Sequence, residues 1–196
     1  MLKKSLANSI LVLILMTVLL GFIYPLIVTG VAKLLFPSQA SGSLIYKGGK
    51  VVGSKLIGQQ FDSLRYFHAR PSMAGLGYDA TLSGGSNLGP TNKKLIELIK
   101  RRAQQFRLEN QLSANQYIPA DIVTASASGL DPDITPEAAL LQVHRIAQVR
   151  GISEVTLRKL VEEHIKEREF GFLGTRRVNV LELNLALDNL QSGKGE

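Results

Sequence analysis

The longest apolar stretch of the chain lies near its N-terminus. From Ser5 to Ala32, 28 consecutive residues carry no charged side chain, and most of them are Leu, Ile or Val. A helix of about 20 apolar residues crosses the hydrocarbon core of a bilayer. The pattern therefore predicts one membrane-spanning helix over residues 5–35, within an anchor segment of residues 1–36.

A cleaved signal peptide is the alternative interpretation of this stretch. Lys3 and Lys4 would form its basic start, and residues 38–40, Ser-Gln-Ala, resemble a small-residue cleavage site. The apolar part of a signal peptide is only about 7–15 residues long, so the length favours a retained anchor.

The charges flanking the span predict its orientation. Lys3 and Lys4 favour a cytoplasmic N-terminus, although Lys33, Lys47 and Lys50 dilute that bias on the other side. We therefore expect residues 37–196 to form one extracytoplasmic domain.

Pro25 is expected to disturb the membrane helix. It has no backbone N–H to donate to the carbonyl of Gly21, so the sequence predicts a kink or an unpaired acceptor at Gly21 and Pro25. Another helix or subunit would then pack against this place.

Beyond the membrane, the polar pattern predicts a hairpin followed by a long loop. Residues 43–47 and 50–54 are two short β-type runs around Gly48-Gly49. Residues 74–92 are too rich in Gly, Ser and Asn for regular structure. Long ordered loops often carry function.

Capping signals predict three helix starts, near Pro90 or Thr91, at Thr135 and at Ser153. Gly151 should end the second of these helices. A second Ser/Gly loop, residues 126–129, lies between the first helix and the second.

The end of the chain fits two structures. The apolar residues alternate with polar ones as in a strand, at Val178, Val180, Leu183, Leu185 and Leu187. Asn179 with Glu182 three residues later also forms a capping box, which favours a helix. The predicted fold class is α+β: one N-terminal transmembrane helix, then a single mixed α/β soluble domain with a small β-hairpin and about four helices.

Charge does not indicate a nucleic-acid-binding protein. Three of the 23 basic residues flank the span, which leaves 20 against 16 acidic residues in the domain, a net charge of +4. Only residues 93–107 approach a basic patch, and a solvated helix face explains them more simply. Cysteine is absent, so the chain has no disulfide or thiolate chemistry.

The sequence lacks the usual signatures of an enzyme. Ser86 has Gly84 before it but Leu88 after it, so no nucleophile elbow is present. The three histidines are far apart in the sequence, so we predict neither a catalytic residue nor a metal site.

Nucleotide-hydrolysis motifs are missing as well. Gly49-Lys50 and Gly193-Lys194 are not followed by Ser or Thr, which excludes a P-loop. No Asp precedes a Lys, so the Asp-Lys-Thr-Gly-Thr sequence that P-type ATPases phosphorylate is absent. Any ATP hydrolysis must belong to a partner.

Several long strings, in order, resemble one known family. They include Tyr24-Pro25-Leu26, residues 67–72 (Phe-His-Ala-Arg-Pro-Ser), residues 83–92 (Ser-Gly-Gly-Ser-Asn-Leu-Gly-Pro-Thr-Asn), residues 123–132 (Val-Thr-Ala-Ser-Ala-Ser-Gly-Leu-Asp-Pro) and residues 183–188 (Leu-Asn-Leu-Ala-Leu-Asp). On these residues the chain resembles the C subunit of the bacterial Kdp-type potassium-transporting P-type ATPase. Asp133, where the resemblance leads one to expect His, and Thr175-Arg176, in place of Glu-Pro, depart from the pattern.

The resemblance implies partners and a role. The family's complex imports potassium with a channel-like A subunit, a catalytic B subunit, a small F peptide and the C subunit. The C subunit is non-catalytic by itself, is needed for assembly and stability, and is described as a catalytic chaperone that raises the ATP affinity of the B subunit. The implied location is the bacterial inner membrane, in contact with lipid and not with nucleic acid.

The resemblance also suggests contact sites. Leu82-Ser83-Gly84-Gly85-Ser86 is similar to the Leu-Ser-Gly-Gly-Gln signature of ABC transporters. The implied nucleotide- or partner-contact loop is Ser83, Gly84, Gly85, Ser86 and Asn87, with a second loop at Ser126, Ser128, Gly129 and Asp131. Firmly bound cofactors are not expected, and ATP would bind only in a transient complex with the catalytic subunit.

The implied contact with ATP conflicts with the predicted position of the domain outside the membrane. An external domain would face no cytoplasmic ATP, so a clamp or lid over the outer mouth of the A subunit is the alternative mechanism. Pure assembly through the kinked helix is a third possibility. A membrane-anchored binding module of unrelated function is the alternative from another class.

Overall fold

The N-terminal part of the chain is one long apolar helix. The structure, a computed structural model, describes residues 2–192. Helix α1 (Leu2–Val18), one π-helical turn (Leu19–Ile23) and helix α2 (Tyr24–Leu35) follow one another without a break. Within residues 2–192 this is the single helix long and apolar enough to cross a membrane. The predicted membrane-spanning helix is therefore confirmed as a candidate span.

The π-helical turn ends two residues before Pro25 and contains Gly21. The backbone N–H of Tyr24 donates to the carbonyl of Leu19, five residues earlier, instead of the usual four. Such turns occur where the regular hydrogen-bond ladder of a helix is interrupted. Whether another helix packs against Pro25 stays a prediction.

The predicted hairpin is confirmed. After the short helix α3 (Pro37–Ala40), strands β1 (Leu44–Lys47) and β2 (Lys50–Ser54) form a two-stranded sheet. Gly48 and Gly49 between them both have positive φ angles, of 58° and 76°, which glycine adopts without steric cost. The chain forms two compact units, one ending at Val52 and the other beginning at Gly53, whereas the predicted domain boundary lies at residue 36.

The second unit is a helical core with a small sheet. Its helices are α4 (Lys93–Glu109), α5 (Ala120–Val123), α6 (Pro136–Leu141), α7 (Val143–Arg150), α8 (Glu154–Glu163) and α9 (Val180–Ser192). Its strands are β3 (Asp133–Ile134), β4 (Ile165–Lys166) and β5 (Arg177–Asn179), in the antiparallel order β3-β5-β4. This three-stranded sheet is absent from the sequence prediction, because strands of two or three residues are too short to show alternation.

Local capping signals locate the helix starts well. Thr135 and Ser153 accept hydrogen bonds from the backbone of α6 and α8, and the side chain of Asn179 accepts one from the N–H of Glu182 in α9. The helix predicted near Thr91 begins at Lys93, since the Asn92 side chain caps it. Val178 lies in β5 and Val180 in α9, so the ambiguous C-terminal segment is a short strand followed by a helix.

The helix predicted between Thr135 and Gly151 is interrupted at Gln142. The Gln142 side chain is fully buried and forms a pair of hydrogen bonds with His68: its Oε1 accepts from the His68 N–H at 2.7 Å, and its Nε2 donates to the His68 carbonyl at 3.1 Å. Side-chain amides that bond backbone in this way substitute for a neighbouring strand.

The segment of residues 64–68 packs onto the core through Phe67 without being a helix or strand. Phe67 lies at the centre of the core and is fully buried. Asn184 of α9 satisfies its backbone, accepting from the Phe67 N–H at 2.8 Å and donating to the Phe67 carbonyl at 2.9 Å. The Nε of Arg150 donates to the Arg65 carbonyl at 2.7 Å.

Arg145 of α7 is the central side chain of this scaffold and is 2% exposed. Its guanidinium donates to the carbonyls of Leu64 and Tyr66, the latter at 3.0 Å. It also donates to the side chains of Asn110 and Gln142, each at 2.9 Å. Burial lowers the pKa of Arg145 to about 10, although the nearby Glu109 carboxylate opposes this shift.

We predict that Arg145→Met strongly destabilises the domain. Methionine keeps much of the volume but leaves the Leu64 and Tyr66 carbonyls and the Asn110 side-chain oxygen without their donor, and it removes one of the two donors to Gln142 Oε1. The loss should cost at least about 3 kcal/mol. The measurement is urea-induced unfolding of the full chain in detergent, followed by circular dichroism. Arg158→Met is the matched control, because Arg158 is half exposed in a surface ion pair, and its cost should stay within about 0.5 kcal/mol. Equal stability of the two variants would contradict this account.

Candidate functional site

The structure brings the two predicted Ser/Gly loops together. We call residues 74–92 the first loop and residues 126–131 the second loop. The N–H of Gly84 and the hydroxyl of Ser83 both donate to the carbonyl of Ser128, each at 2.9 Å. Residues more than 40 positions apart in the sequence thus form one structural feature.

Two glycines allow the loop backbones to touch. A Cβ atom on Gly129 would lie 2.5 Å from the Gly84 carbonyl oxygen and 2.7 Å from the Ala74 nitrogen. A Cβ on Gly85 would lie 3.0 Å from the Ala127 carbonyl oxygen. Gly129 also has a φ of +69°, which other residues rarely adopt. Glycine is therefore required at position 129 both for space and for backbone conformation.

Ser72 ties the loops to the core segment. Its hydroxyl donates to the Gly129 carbonyl at 2.6 Å. The same oxygen accepts from the N–H of Tyr78 at 2.7 Å and from the N–H of Ala74 at 3.2 Å. One side chain therefore holds both loops, and the sequence marked it only as the last residue of the string 67–72.

An ion pair fixes the end of the second loop. Arg70 donates to Asp131 Oδ2 at 2.6 Å, and Asp131 Oδ1 accepts from the N–H of Asp133 at 3.0 Å. The hydroxyl of Tyr78 donates to the Arg70 carbonyl at 2.6 Å. Burial, together with the charge of Asp131, raises the pKa of Tyr78 to about 12, so Tyr78 stays a donor.

The second loop has its own internal bonds, which use Ser126 and Ser128. The Ser126 hydroxyl accepts from the N–H of Gly129 at 2.9 Å, and the Ser128 hydroxyl accepts from the N–H of Leu130 at 3.1 Å. All four residues predicted in this loop thus have structural contacts in the described part of the chain.

The outer edge of the first loop is different. The backbone N–H groups of residues 85–89 donate no hydrogen bond to any residue between positions 2 and 192. Ser86 is half-buried and Asn87 is exposed, with a φ of +52°. Unpaired amides of this kind are available to a carbonyl, carboxylate or phosphate oxygen of a partner.

The helix that follows does not complete a phosphate cradle. Helix α4 begins at Lys93, seven residues after Ser86, and the Asn92 side chain already occupies its N-terminus by accepting from the Lys94 N–H at 2.9 Å. The N–H of Gly84 is bonded to Ser128 as well. The Gly84 and Lys94 amides are therefore already paired within the chain and are not available to a phosphate.

A polar cleft of about 310 Å³ lies beside the first loop and is lined by residues that include Gln60, His68, Arg70, Ser72 and Tyr78. The charge of Arg70 is neutralised by Asp131. Since Arg70 is the only Lys or Arg among the lining residues, the cleft has no uncompensated cation of that kind for a nucleotide phosphate.

The surroundings of His68 in this cleft favour its neutral form. Its Nε2 lies 3.1 Å from the carbonyl of Ser63, which can only accept, so Nε2 carries the proton. Burial and the positive charge of Arg145 lower the pKa of His68 below 6.5, although Glu109 opposes the shift.

The other predicted positions lie elsewhere. Gly21 and Pro25 belong to the membrane helix and not to this site. Asp133 lies in β3, with its Oδ2 3.3 Å from the Nε of Arg177, and burial together with Asp131 raises its pKa. No group of three or more potential metal-ligating side chains occurs within residues 2–192.

Known proteins resemble this chain along nearly its whole length. The family model KdpC, described as K+-transporting ATPase, c chain, matches residues 6–189. Three relatives share the description "Potassium-transporting ATPase KdpC subunit". The one from Koribacter versatilis is 51% identical over 96% of this chain and 96% of its own length. The Mycobacterium tuberculosis relative is 51% identical over 96% and 100%, and the Acidobacterium capsulatum relative is 54% identical over 95% and 99%.

We predict that Gly129→Ala disrupts the contact between the loops. The added methyl group would collide with two backbone groups at a left-handed position, so we expect a loss of at least about 2 kcal/mol and faster proteolysis within residues 74–92. Gly84→Ala is the control: a Cβ there meets nothing within 4 Å, and the N–H donated to Ser128 is kept. Comparable effects of both substitutions would rule out the steric explanation.

The shifted pKa of His68 predicts a pH-dependent stability. Because the folded-state pKa lies below 6.5, the unfolded chain binds the proton more tightly, and the contribution of His68 to stability is lost as the pH falls below that value. From about pH 7 to about pH 5, His68→Asn should therefore lose less stability than the unmodified chain. The measurement is the urea midpoint at each pH. Parallel pH profiles would show that His68 is not the group responsible.

Proposed function

This chain belongs to the family of KdpC subunits of the potassium-transporting ATPase, and we propose that it acts as a non-catalytic clamp on the outer side of that pump. In this role the apolar helix Leu2–Leu35 anchors the chain in the inner membrane, with its N-terminus in the cytoplasm. The domain beyond it lies outside and stabilises the channel-like A subunit, within a complex that also contains the B and F subunits.

The interlocked loops are the observation that supports a clamp. Ser72, Ser128 and Gly129 join them through direct hydrogen bonds and backbone contact, so the loops form one fixed surface before any partner arrives. A surface whose shape is already set loses little conformational entropy on binding. Its unpaired amides at residues 85–89 then supply directional donors for a partner.

The charge of the domain fits a structural role better than potassium capture. Acidic groups concentrate cations, whereas this domain carries a net charge of about +4. A mildly positive clamp can face the acidic entrance of a cation pathway without competing for the ion.

Control of the ATP affinity of the B subunit is the second candidate function, and one observation favours it. The five unpaired N–H groups of residues 85–89 could hold a phosphate oxygen if the B subunit presented the nucleotide to them. ATP would then be shared in a transient complex. This mechanism requires the first loop to lie in the cytoplasm.

The position of Ser86 relative to the membrane decides between these functions. The chain contains no cysteine, so Ser86→Cys supplies a single thiol in the assembled pump. We expect an impermeant maleimide to label it in intact cells, because the clamp lies outside. Labelling only after the membrane is permeabilised would contradict the clamp and support nucleotide contact. Leu2→Cys, before the predicted span on the opposite side of the membrane, is the control and should be labelled only after permeabilisation.

A further inference from the structure

A group of neighbouring exposed apolar side chains lies in a tight turn at the end of the β4–β5 hairpin. We call residues 169–173 the aromatic turn. Phe170 is 87% exposed, Phe172 is 70% exposed and Leu173 is 49% exposed. Together they present on the order of 400 Å² of apolar surface, since one Phe side chain offers roughly 150–250 Å². Isolated exposed apolar residues are ordinary, but a contiguous group indicates a contact surface.

The aromatic turn has a fixed shape. Glu169 and Leu173 exchange two backbone hydrogen bonds, of 3.0 and 2.9 Å. The N–H of Gly171 donates to the Arg168 carbonyl at 3.0 Å. Below the turn, β4 and β5 pair with Ile165 opposite Val178, which anchors the hairpin in the core sheet. The two phenyl rings are thus held outward by the backbone.

Phe170 occupies an unfavourable backbone conformation. Its φ is +53°, in the left-handed region where a non-glycine residue is strained. Strain of this kind, at an exposed bulky residue that contributes nothing to the core, is an observation from which a functional role can be inferred. Glycine at this position would fit the backbone better, so the phenyl ring itself is the feature to explain.

The charges around the turn are mostly paired. Arg176 contacts Glu167 at 3.0 Å, and Arg177 contacts Glu169 at 3.1 Å. Arg168 makes no ion pair with any described residue, and it is exposed. The aromatic turn therefore combines an apolar tip with one unneutralised cation beside it.

We propose that the aromatic turn inserts into an apolar pocket with an acidic rim on the channel-like A subunit of the potassium pump, the partner that the proposed clamp holds. The inference rests on the proposed function, because the occupant is a subunit of the same complex. Phe170 and Phe172 fill the pocket, and Arg168 pairs with its rim. Rigid aromatic side chains next to an arginine are the residues that dominate binding energy in protein interfaces.

A protein pocket explains the turn better than a lipid surface does. Binding to a bilayer depends on the apolar area and little on its shape. Binding in a protein pocket is stronger when the inserted surface has a fixed, complementary shape. The backbone bonds, the strained Phe170 and the ordered ion pairs all fix the shape.

Binding of the full-length chain to the pump purified without it tests the proposal. The chain carries a fluorescent label and is titrated in detergent. Phe170→Gly and Phe172→Ala should each weaken binding at least about tenfold, as expected for interface hot spots. Tyr117→Ala is the matched control, because Tyr117 is an aromatic residue that is 76% exposed far along the chain from the turn, and it should change binding less than about twofold.

Phe170→Gly also separates binding from folding. Glycine relieves the strain at position 170, so the urea midpoint should stay the same or rise while binding weakens. A fall in the midpoint that accounts for weaker binding would indicate a merely structural residue and overturn the proposal. Unchanged binding of both Phe variants would overturn it as well.

A dye beside the turn tests the lipid alternative. Thr175→Cys, labelled with an environment-sensitive fluorophore in lipid nanodiscs, should shift to the blue only when the pump is added. A blue shift in nanodiscs without the pump would show insertion into lipid and refute the protein pocket. If the unmodified chain does not bind the pump at all, the proposed function fails; if it binds and the Phe variants bind equally well, only this inference fails.

Discussion

The domain depends on one buried guanidinium, that of Arg145. A charge removed from water is costly unless its hydrogen bonds are satisfied. Here four acceptors from three parts of the chain satisfy it: the carbonyls of Leu64 and Tyr66 and the side chains of Asn110 and Gln142. A satisfied buried network specifies one arrangement of the groups around it. The irregular segment 64–68 can therefore pack on the core without belonging to a helix or sheet.

The segment that Arg145 fixes leads directly to the residues that hold the two Ser/Gly loops. Segment 64–68 places Phe67 in the core, and the chain then runs directly to Arg70 and Ser72. These two side chains bond Asp131 and Gly129 of the second loop, at 2.6 Å in each case. The loops are thus built onto a rigid scaffold, as expected for a surface that must hold its shape against another subunit.

The aromatic turn and the loops illustrate one principle. Both are irregular, both contain residues with positive φ, and both are fixed by backbone hydrogen bonds. Fixed irregular surfaces suit a subunit whose role is contact, because the conformational cost of binding is met during folding. Membership of the KdpC subunit family is consistent with such a role.

The sequence by itself determined the local features. Apolar length predicted the membrane helix, and capping residues such as Thr135 and Ser153 predicted helix starts, because these signals lie within a few neighbouring residues. Glycine content marked both loops. Tertiary structure alone decided that the loops meet, that Gln142 interrupts a helix, and that Arg145 is buried, since arginine is normally exposed. The two carbonyls that Arg145 bonds lie about 80 residues away in the sequence, and no local pattern can show which distant carbonyl will satisfy a donor.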